Sequence, residues 1–282
     1  MKRFAYYEPK TIKEASRLLH DLPMSTLLAG GTDLVTRMNK GTSPYEHIIN
    51  LKYIEGLDYI KADEQGIHVG AATKLAKIAQ DEHVKKHFPA LVEAINSIGT
   101  PQIRHLGTMG GNLCNASPCA DSAPALMVMD TVLTLSGLAG KRRVPMTQFY
   151  LGPGITSRGQ DEVLTDIFIP FQEPGTGQSF SKLGPRKAAD IAVVNTAMAL
   201  TFNNGVCCKA RIALGSVAPT LIRAYATEEW LIGKKKVDIC PEETGKRAAE
   251  EAKPISDVRG SAEYRKDMVA VLVERAVMAL VK

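Results

Sequence analysis

The sequence predicts an α+β protein: two N-terminal α/β subdomains, then a smaller α+β domain built from an antiparallel sheet and helices. Three observations carry that expectation. Short apolar runs alternate with helical periodicity through the first third of the chain. A Pro- and Gly-containing stretch at 172–177 breaks both periods. Beyond it the pattern becomes a hairpin followed by helices. The expected units are 1–55, 56–173 and 178–282. At 282 residues the chain is long enough for about two ordinary domains, each with its own apolar core.

Thr11 and Glu14 form a capping box, after which Ile12, Ala15, Leu18, Leu19 and Leu22 recur at helical spacing. Thr26 to Ala29 is a short strand that ends at Gly30-Gly31, and His47 to Leu51 is another, which closes a small βαβ-like unit. From Gly66 a second unit begins, because Ile67, Val69 and Ala71 alternate with His68 and Gly70. Thr73 is expected to cap the next helix, and Phe88 to Ile98 supplies another behind Pro89. Val132 to Leu135 and Leu164 to Ile169 are further strands. Past the break, Ile191 to Phe202 and Val206 to Leu214 flank Asn203-Asn204-Gly205, the pattern of an antiparallel hairpin. Residues 222–282 are expected to be helical, with Met268, Val269, Leu272, Val273, Ala276 and Leu280 on one apolar face.

Composition excludes several function classes. With 35 basic against 30 acidic residues the net charge of +5 is weak and scattered, which argues against nucleic acid as a partner. The densest cluster, Lys234-Lys235-Lys236, fits a solvated helix end. Met1 to Tyr7 has no apolar signal core, and no run reaches the ~18 apolar residues of a membrane span, so a cytoplasmic protein is expected. The five cysteines make no disulfide pattern. Cys114 and Cys119 fit small packed thiols better than cluster or zinc ligands, so no metal site is expected. No Ser-His-Asp set, carboxylate pair or His-x-x-x-His appears, so no catalytic side chain is expected.

The chemistry concentrates in two glycine-rich segments, Ala29-Gly30-Gly31-Thr32-Asp33-Leu34 and Gly107-Thr108-Met109-Gly110-Gly111-Asn112. Glycine permits positive φ and close approach of a ligand to main-chain N–H groups, and successive N–H groups make an anion-binding hollow. Thr32, Thr108 and Asn112 add side-chain donors. Neither segment is a P-loop or a G-x-G-x-x-G helix opening. Either alone is an ordinary tight turn; the two together, one per subdomain, point to a dinucleotide in the cleft between them.

Leu28 to Leu34 and Gly107 to Asn112, followed by Ser117-Pro118-Cys119-Ala120-Asp121, resemble the FAD-binding segments of the xanthine dehydrogenase and carbon monoxide dehydrogenase medium-subunit family, within the molybdenum hydroxylases. Phe180 to Ala192 resembles that family's junction with its C-terminal domain, and the likeness runs from Phe4 to the last helix. It implies FAD-binding subdomains of the vanillyl-alcohol-oxidase (PCMH) type, then a domain of the CO dehydrogenase flavoprotein type. By the same resemblance Leu28, Ala29, Gly30, Gly31, Thr32, Asp33 and Leu34, with Thr108, Met109, Gly110, Gly111 and Asn112, would hold the FAD pyrophosphate and ribityl. Asp121 would accept a hydrogen bond from FAD, the competing role being a helix N-cap before Ser122. Leu164 and Lys182 would lie against the flavin ring, Lys182 as a tuning cation or else as a surface strand lysine. Arg186 and Lys187 would attract nicotinamide dinucleotide phosphates or simply be solvated. Gln102, Arg104 and His105 fit the pattern as structural or subunit-contact residues.

The function that the resemblance implies is an FAD-binding electron-transfer subunit of a multi-subunit molybdenum hydroxylase. Electrons would come from a small subunit with two 2Fe–2S clusters, in a heterotrimer with a molybdenum-cofactor large subunit that is itself open to dimerisation. They would leave to NAD+ or another acceptor. No cysteine-rich insertion is present, so no cluster is expected in this chain. Two other classes stay open: a stand-alone small flavoenzyme of the same fold, and a flavin-free interaction subunit. Valine at Gly110 or Gly111 is expected to abolish FAD retention and leave the fold intact.

Overall fold

A computed structural model describes residues 3–186 and 189–282. Its first unit contains β1 (Ala5–Tyr7), α1 (Ile12–Asp21), β2 (Ser25–Leu28), α2 (Leu34–Asn39) and β3 (His47–Asn50). The strands form a parallel sheet in the order β1-β3-β2. Its central strand is buried on both faces, as a parallel strand between helices must be. Ile49 packs with Ala15 and Leu19 of α1, while Ile48 packs with Leu34 and Met38 of α2. Thr11 Oγ1 accepts the N–H of Glu14 at 3.1 Å, as the capping box predicts. The returning bond differs: Glu14 accepts from the N–H of Lys10, not of Thr11. Leu51 leaves the strand for a short 3-10 turn.

The second unit opens with β4 (Ile60–Ala62) and β5 (Gly66–Gly70). Six helices follow: α3 (Leu75–Gln80), α4 (Glu82–His87), α5 (Pro89–Asn96), α6 (Pro101–Leu106), α7 (Met109–Cys114) and α8 (Ser122–Val128). Then come β6 (Val132–Gly137), β7 (Gly140–Pro145), the small hairpin β8 (Tyr150–Gly152) and β9 (Ile155–Thr156), and β10 (Val163–Pro170). The large sheet is antiparallel in the order β4-β5-β10-β6-β7. Its inward side chains, Ile67, Val69, Leu133, Leu135 and Ile167, meet Phe88 and Leu91 of the α4–α5 segment and Leu126 of α8 in one core.

Thr73 does not cap a helix. Lys74 is the residue before α3, and the Thr73 hydroxyl bonds the Tyr59 main chain in both directions at 3.0 Å. The hydroxyl is drawn to a neighbouring strand end instead of the helix behind it.

The third unit is a four-stranded antiparallel meander of β11 (Thr176–Leu183), β12 (Val194–Asn203), β13 (Val206–Gly215) and β14 (Ile222–Arg223). It is backed by α9 (Tyr225–Leu231), α10 (Pro241–Glu251) and α11 (Ala262–Leu280). Asn204 and Gly205 turn the hairpin with φ of 48° and 76°, the positive pair that a two-residue type I′ turn requires. The break at 172–177 is shorter than its composition suggests. Thr176 and Gly177 already belong to β11, where the Thr176 hydroxyl meets that of Thr201 at 2.8 Å. The 222–282 stretch is helical apart from β14 and its connections.

Strand alternation gives this sheet two different faces. Ala197, Ala199 and Ala213 join the core of the second unit, while Met198, Leu200 and Ile212 pack on Val269 and Val273 of α11. Small side chains on the first face let the sheet come close to α5 and α8. No helix among the described residues is long and apolar enough to cross a membrane.

Candidate functional site

Where β2 ends, residues 29–33 run into α2, and Gly31 adopts φ of +78°, a left-handed conformation that glycine takes without strain. Among the described residues no protein acceptor takes the N–H of Gly30, Gly31, Thr32, Asp33 or Leu34. That is a hollow of unassigned donors suited to a phosphate oxygen.

The second glycine segment is built differently. Thr108 is the N-cap of α7, and its Oγ1 accepts the N–H of Gly111 at 3.0 Å. Met109 donates to Thr73 O at 3.0 Å, Gly110 to Ala71 O at 2.9 Å and Asn112 to Thr108 O at 3.0 Å. In sequence the two segments look like equal amide donors. The structure commits the second to capping and strand contacts, leaving it to offer closeness and the side chains of Thr108 and Asn112.

The two segments touch. A Cβ at Gly30 would run into Leu106 O and lie 2.8 Å from Gly107 Cα, whereas one at Gly111 would sit 2.9 Å from Thr108 Oγ1 and 3.9 Å from Ala29 Cβ. Gly110 faces the other way. Its Cβ would lie 2.6 Å from Ala71 O and 2.7 Å from Ala71 Cβ. Valine at 110 therefore collides with the protein's own backbone, so the expected intact fold does not hold for that position.

Between the first two units lies a cavity of about 380 Å³, the size range of small-molecule sites. Of the residues singled out in sequence, Ala29, Gly30, Gly31, Thr32, Asp33, Leu34, Thr108, Gly110, Gly111, Asn112 and Leu164 line it. Leu28, Met109, Asp121 and Lys182 do not. Leu28 packs under Gly31, and Met109 is wholly buried in the core. Arg37, Asn115 and Arg158 also line the cavity. They sit in no motif, and nothing in the linear pattern distinguishes them from solvated residues.

Asp121 and Lys182 meet behind that wall. Lys182 Nζ donates to Asp121 Oδ2 at 2.7 Å, Ser97 O at 3.0 Å and Asp190 O at 3.1 Å, and it lies 3.3 Å from Asp190 Oδ1. The side chains of Lys182, Asp121 and Asp190 are only 8%, 7% and 6% exposed. Lys182 is thus no surface strand lysine, and two carboxylates already answer its charge. Burial pushes the Asp121 carboxyl above its usual range, with Lys182 and a 2.8 Å bond from Asn195 pulling it back. Asp121 precedes α8 but makes no side-chain cap, because its oxygens are taken by these partners.

The remaining expectations resolve locally. Arg104 Nη1 donates to Ile98 O at 2.9 Å, and His105 Nδ1 bonds Pro101 O at 2.7 Å, which requires the proton on Nδ1. Gln102 is exposed. Arg186 donates to Ala189 O at 2.6 Å, whereas Lys187 lies outside the described residues. Cys114 is part-buried on the cavity wall, with its thiol pushed up to about 11 by burial. Cys119 accepts from Arg259 at 3.3 Å. Lys234 does follow a helix, with its ammonium 4.1 Å from the Trp230 ring.

Comparison with known proteins gives consistent relatives. A family model described as the FAD binding domain in molybdopterin dehydrogenase matches residues 2–172, and one described as the CO dehydrogenase flavoprotein C-terminal domain matches residues 179–280. The nicotinate dehydrogenase FAD-subunit of Eubacterium barkeri is 34% identical over 240 residues, 83% of this chain and 81% of that protein. The xanthine dehydrogenase FAD-binding subunit of Escherichia coli O157:H7 is 32% identical over 275 residues, 97% of this chain and 94% of that protein. A chain of carbon monoxide dehydrogenase from Hydrogenophaga pseudoflava matches with a TM-score of 0.93 at 34% identity, covering 99% of this chain and 97% of that one.

Proposed function

The chain belongs to the family of FAD-binding domains of molybdopterin dehydrogenases, with FAD as its cofactor, and from that premise we propose that it is the electron relay of a molybdenum hydroxylase-type complex. One observation carries the reading: two glycine segments from different units converge on one cavity, and one of them presents main-chain donors with no acceptor among the described residues.

In this reading Gly30 to Leu34 donate N–H groups to the pyrophosphate, while the absence of a Cβ at Gly30 and Gly111 keeps the two segments close enough to share it. Thr108 and Asn112 add side-chain contacts, and Leu164 supplies an apolar wall. Leu28 and Met109 support the segments from below. Asp121 and Lys182 act one layer back, since Lys182 holds Ser97 O beside Ile98, a cavity residue. Their task is to fix that wall and exclude water from it.

FAD, when bound, supplies the exchange between single electrons and hydride that joins iron–sulfur clusters to an acceptor such as NAD+. The partners in this reading are a molybdenum-cofactor large subunit and a small subunit with two 2Fe–2S clusters. Relatives named as FAD-binding subunits and medium chains support it. Five free cysteines support a reducing, cytoplasmic location.

The acceptor side is tested by adding NADH anaerobically to the FAD-loaded complex. Bleaching of the flavin absorbance within the mixing time supports NAD+ as acceptor. An unbleached flavin that oxygen or a dye can still reoxidise after substrate reduction assigns the relay to another acceptor.

A further inference from the structure

The third sheet turns one face to the second unit. Alanines fill the middle of that face, where Ala197, Ala199 and Ala213 pack into the core that contains α8. Charge sits at its margins. Lys182 reaches Asp121 at the start of α8 at 2.7 Å, while Arg211 and Lys209 reach Asp130 just past its end, Lys209 at 3.3 Å. All 7 residues of α8 are buried. The helix thus lies on an alanine bed with an acid at each end, each met by cations of the same sheet.

An acid suits only one of those ends. The helix dipole favours a carboxylate at the N-terminus and disfavours one at the C-terminus. Asp130 also has φ of +54°, in the left-handed region. Its N–H bonds Met127 O at 3.4 Å, and that of Thr131 bonds Leu126 O at 3.3 Å. These are the paired bonds of a Schellman turn, whose left-handed position glycine fills with least strain. Helix and turn both work against aspartate here, and what favours it lies across the seam. The Arg211 side chain is 4% exposed, and Asp130 is the one carboxylate in ion-pair range of it among the described residues. Burial pulls the Arg211 guanidinium below its usual range, and Asp130 opposes that shift. A buried cation stripped of its partner is strongly destabilising. Arg223, 3.9 Å from Asp130, already holds Glu228 in two bonds, and Lys209 is half-exposed, so Arg211 is the group that needs Asp130.

We propose that Asp130 is an electrostatic latch, retained for its charge against the preference of its own backbone, which holds the third unit closed on α8. Its carboxylate is 45% exposed, so solvent ions reach the latch while the arginine beneath it stays buried. The sheet that it holds down also carries Lys182, whose ammonium bonds Ser97 O behind the cavity wall. Release at Asp130 therefore loosens that wall from a distance, which makes the third unit a control on the cavity whatever the cavity holds.

The test compares the full chain with Asp130→Gly, Asp130→Asn, Arg211→Met and the double variant Asp130→Gly with Arg211→Met, by thermal melts and by hydrogen exchange read segment by segment. Were Asp130 only a turn residue, glycine would suit φ of +54° better and raise the melting temperature. The latch requires the opposite. Asp130→Gly should lower the melting temperature by roughly 4–8 °C. It should also speed exchange roughly tenfold across 122–131 and 176–183, with β3 of the first unit unchanged as the internal control. In the Arg211→Met background the sign should reverse, because no buried cation then needs the carboxylate and only the turn's preference is left.

An Asp130→Gly chain that melts at or above the parent's temperature, with α8 exchanging as before, overturns the latch. So does a loss of the same size with and without Arg211. Should Asp130→Gly fail to fold, Asp130→Asn decides the matter, since asparagine tolerates the left-handed region and still offers Arg211 an oxygen but no charge. Its deficit against the parent should shrink as salt rises from ~0.1 to ~1 M, because screening weakens the half-exposed pair in the parent alone. A deficit that ignores salt overturns the latch.

Discussion

Single residues set how the two glycine segments meet, and they show where sequence stops being informative. That Gly30, Gly31, Gly110 and Gly111 are glycines is visible in the chain, but which way each missing Cβ would point is not. What each would meet is set by the fold: Ala71, far away in sequence, for Gly110, and the cap residue Thr108 with the distant Ala29 for Gly111. The two positions should therefore respond differently. Gly110→Val overpacks the contact with Ala71 and should lower the stability of the apoprotein by about 1–3 kcal/mol. Gly111→Ala strains the Thr108 cap, worth about 1 kcal/mol, and should weaken FAD binding more than it lowers the apoprotein's melting temperature. Thermal melts with and without FAD check both; equal losses of stability at the two sites would contradict the assigned directions. Arg37 and Arg158 were not legible because an arginine in a short helix or loop carries no linear signal of what it faces. Lys182 was legible as a position but not as a partner, since Asp121 and Asp190 reach it only through folding.

At the scale of elements, legibility followed the strength of the local pattern. The Asn203-Asn204-Gly205 hairpin is where its turn chemistry places it, and α11 carries its apolar face as its spacing predicts. β11 shows in the sequence only as a possible strand around Lys182, because Thr176-Gly177-Gln178-Ser179-Phe180-Ser181-Lys182-Leu183 has little apolar alternation, and a neighbouring strand with two helices supplies the pairing and burial instead. β4 has only 3 residues and is too short for a period. The buried Arg265 of α11 breaks that helix's apolar face for a reason visible only in three dimensions. Its guanidinium holds Val193 O at 2.9 Å, Ser216 O at 2.8 Å and Asp257 at 2.7 Å.

Bonds from Arg259, and then from Arg265, keep the Asp257 carboxyl well below the usual carboxylate range. A depressed folded value contributes stability above the unfolded pKa of 3.8, and that stability is lost as pH falls through the lower folded value. Asp257→Asn should therefore be less stable than the parent at neutral pH, with the gap closing below about pH 4. Urea midpoints at pH 7 and pH 3 check this; a gap that stays constant with pH would contradict it.

Across the whole molecule, the third sheet belongs to two cores at once, which ties the C-terminal unit rigidly to the cavity's second wall. Arg211 reinforces the same seam through Asp130 and through Gln172 at 2.7 Å. The second wall of the cleft is thereby braced from behind, and the broad architecture was legible because each unit has its own periodicity. The closeness of the units was not, because it rests on alanines whose facing depends on strand pairing. Whether this cleft holds FAD is read from the flavin content of the purified chain. The cofactor is released by denaturation, identified by chromatography and quantified against protein, with FAD added back to any apoprotein. Close to one FAD per chain is expected, bound or rebound. A folded, colourless protein that takes up no FAD when it is supplied would rule out the cleft as a flavin site.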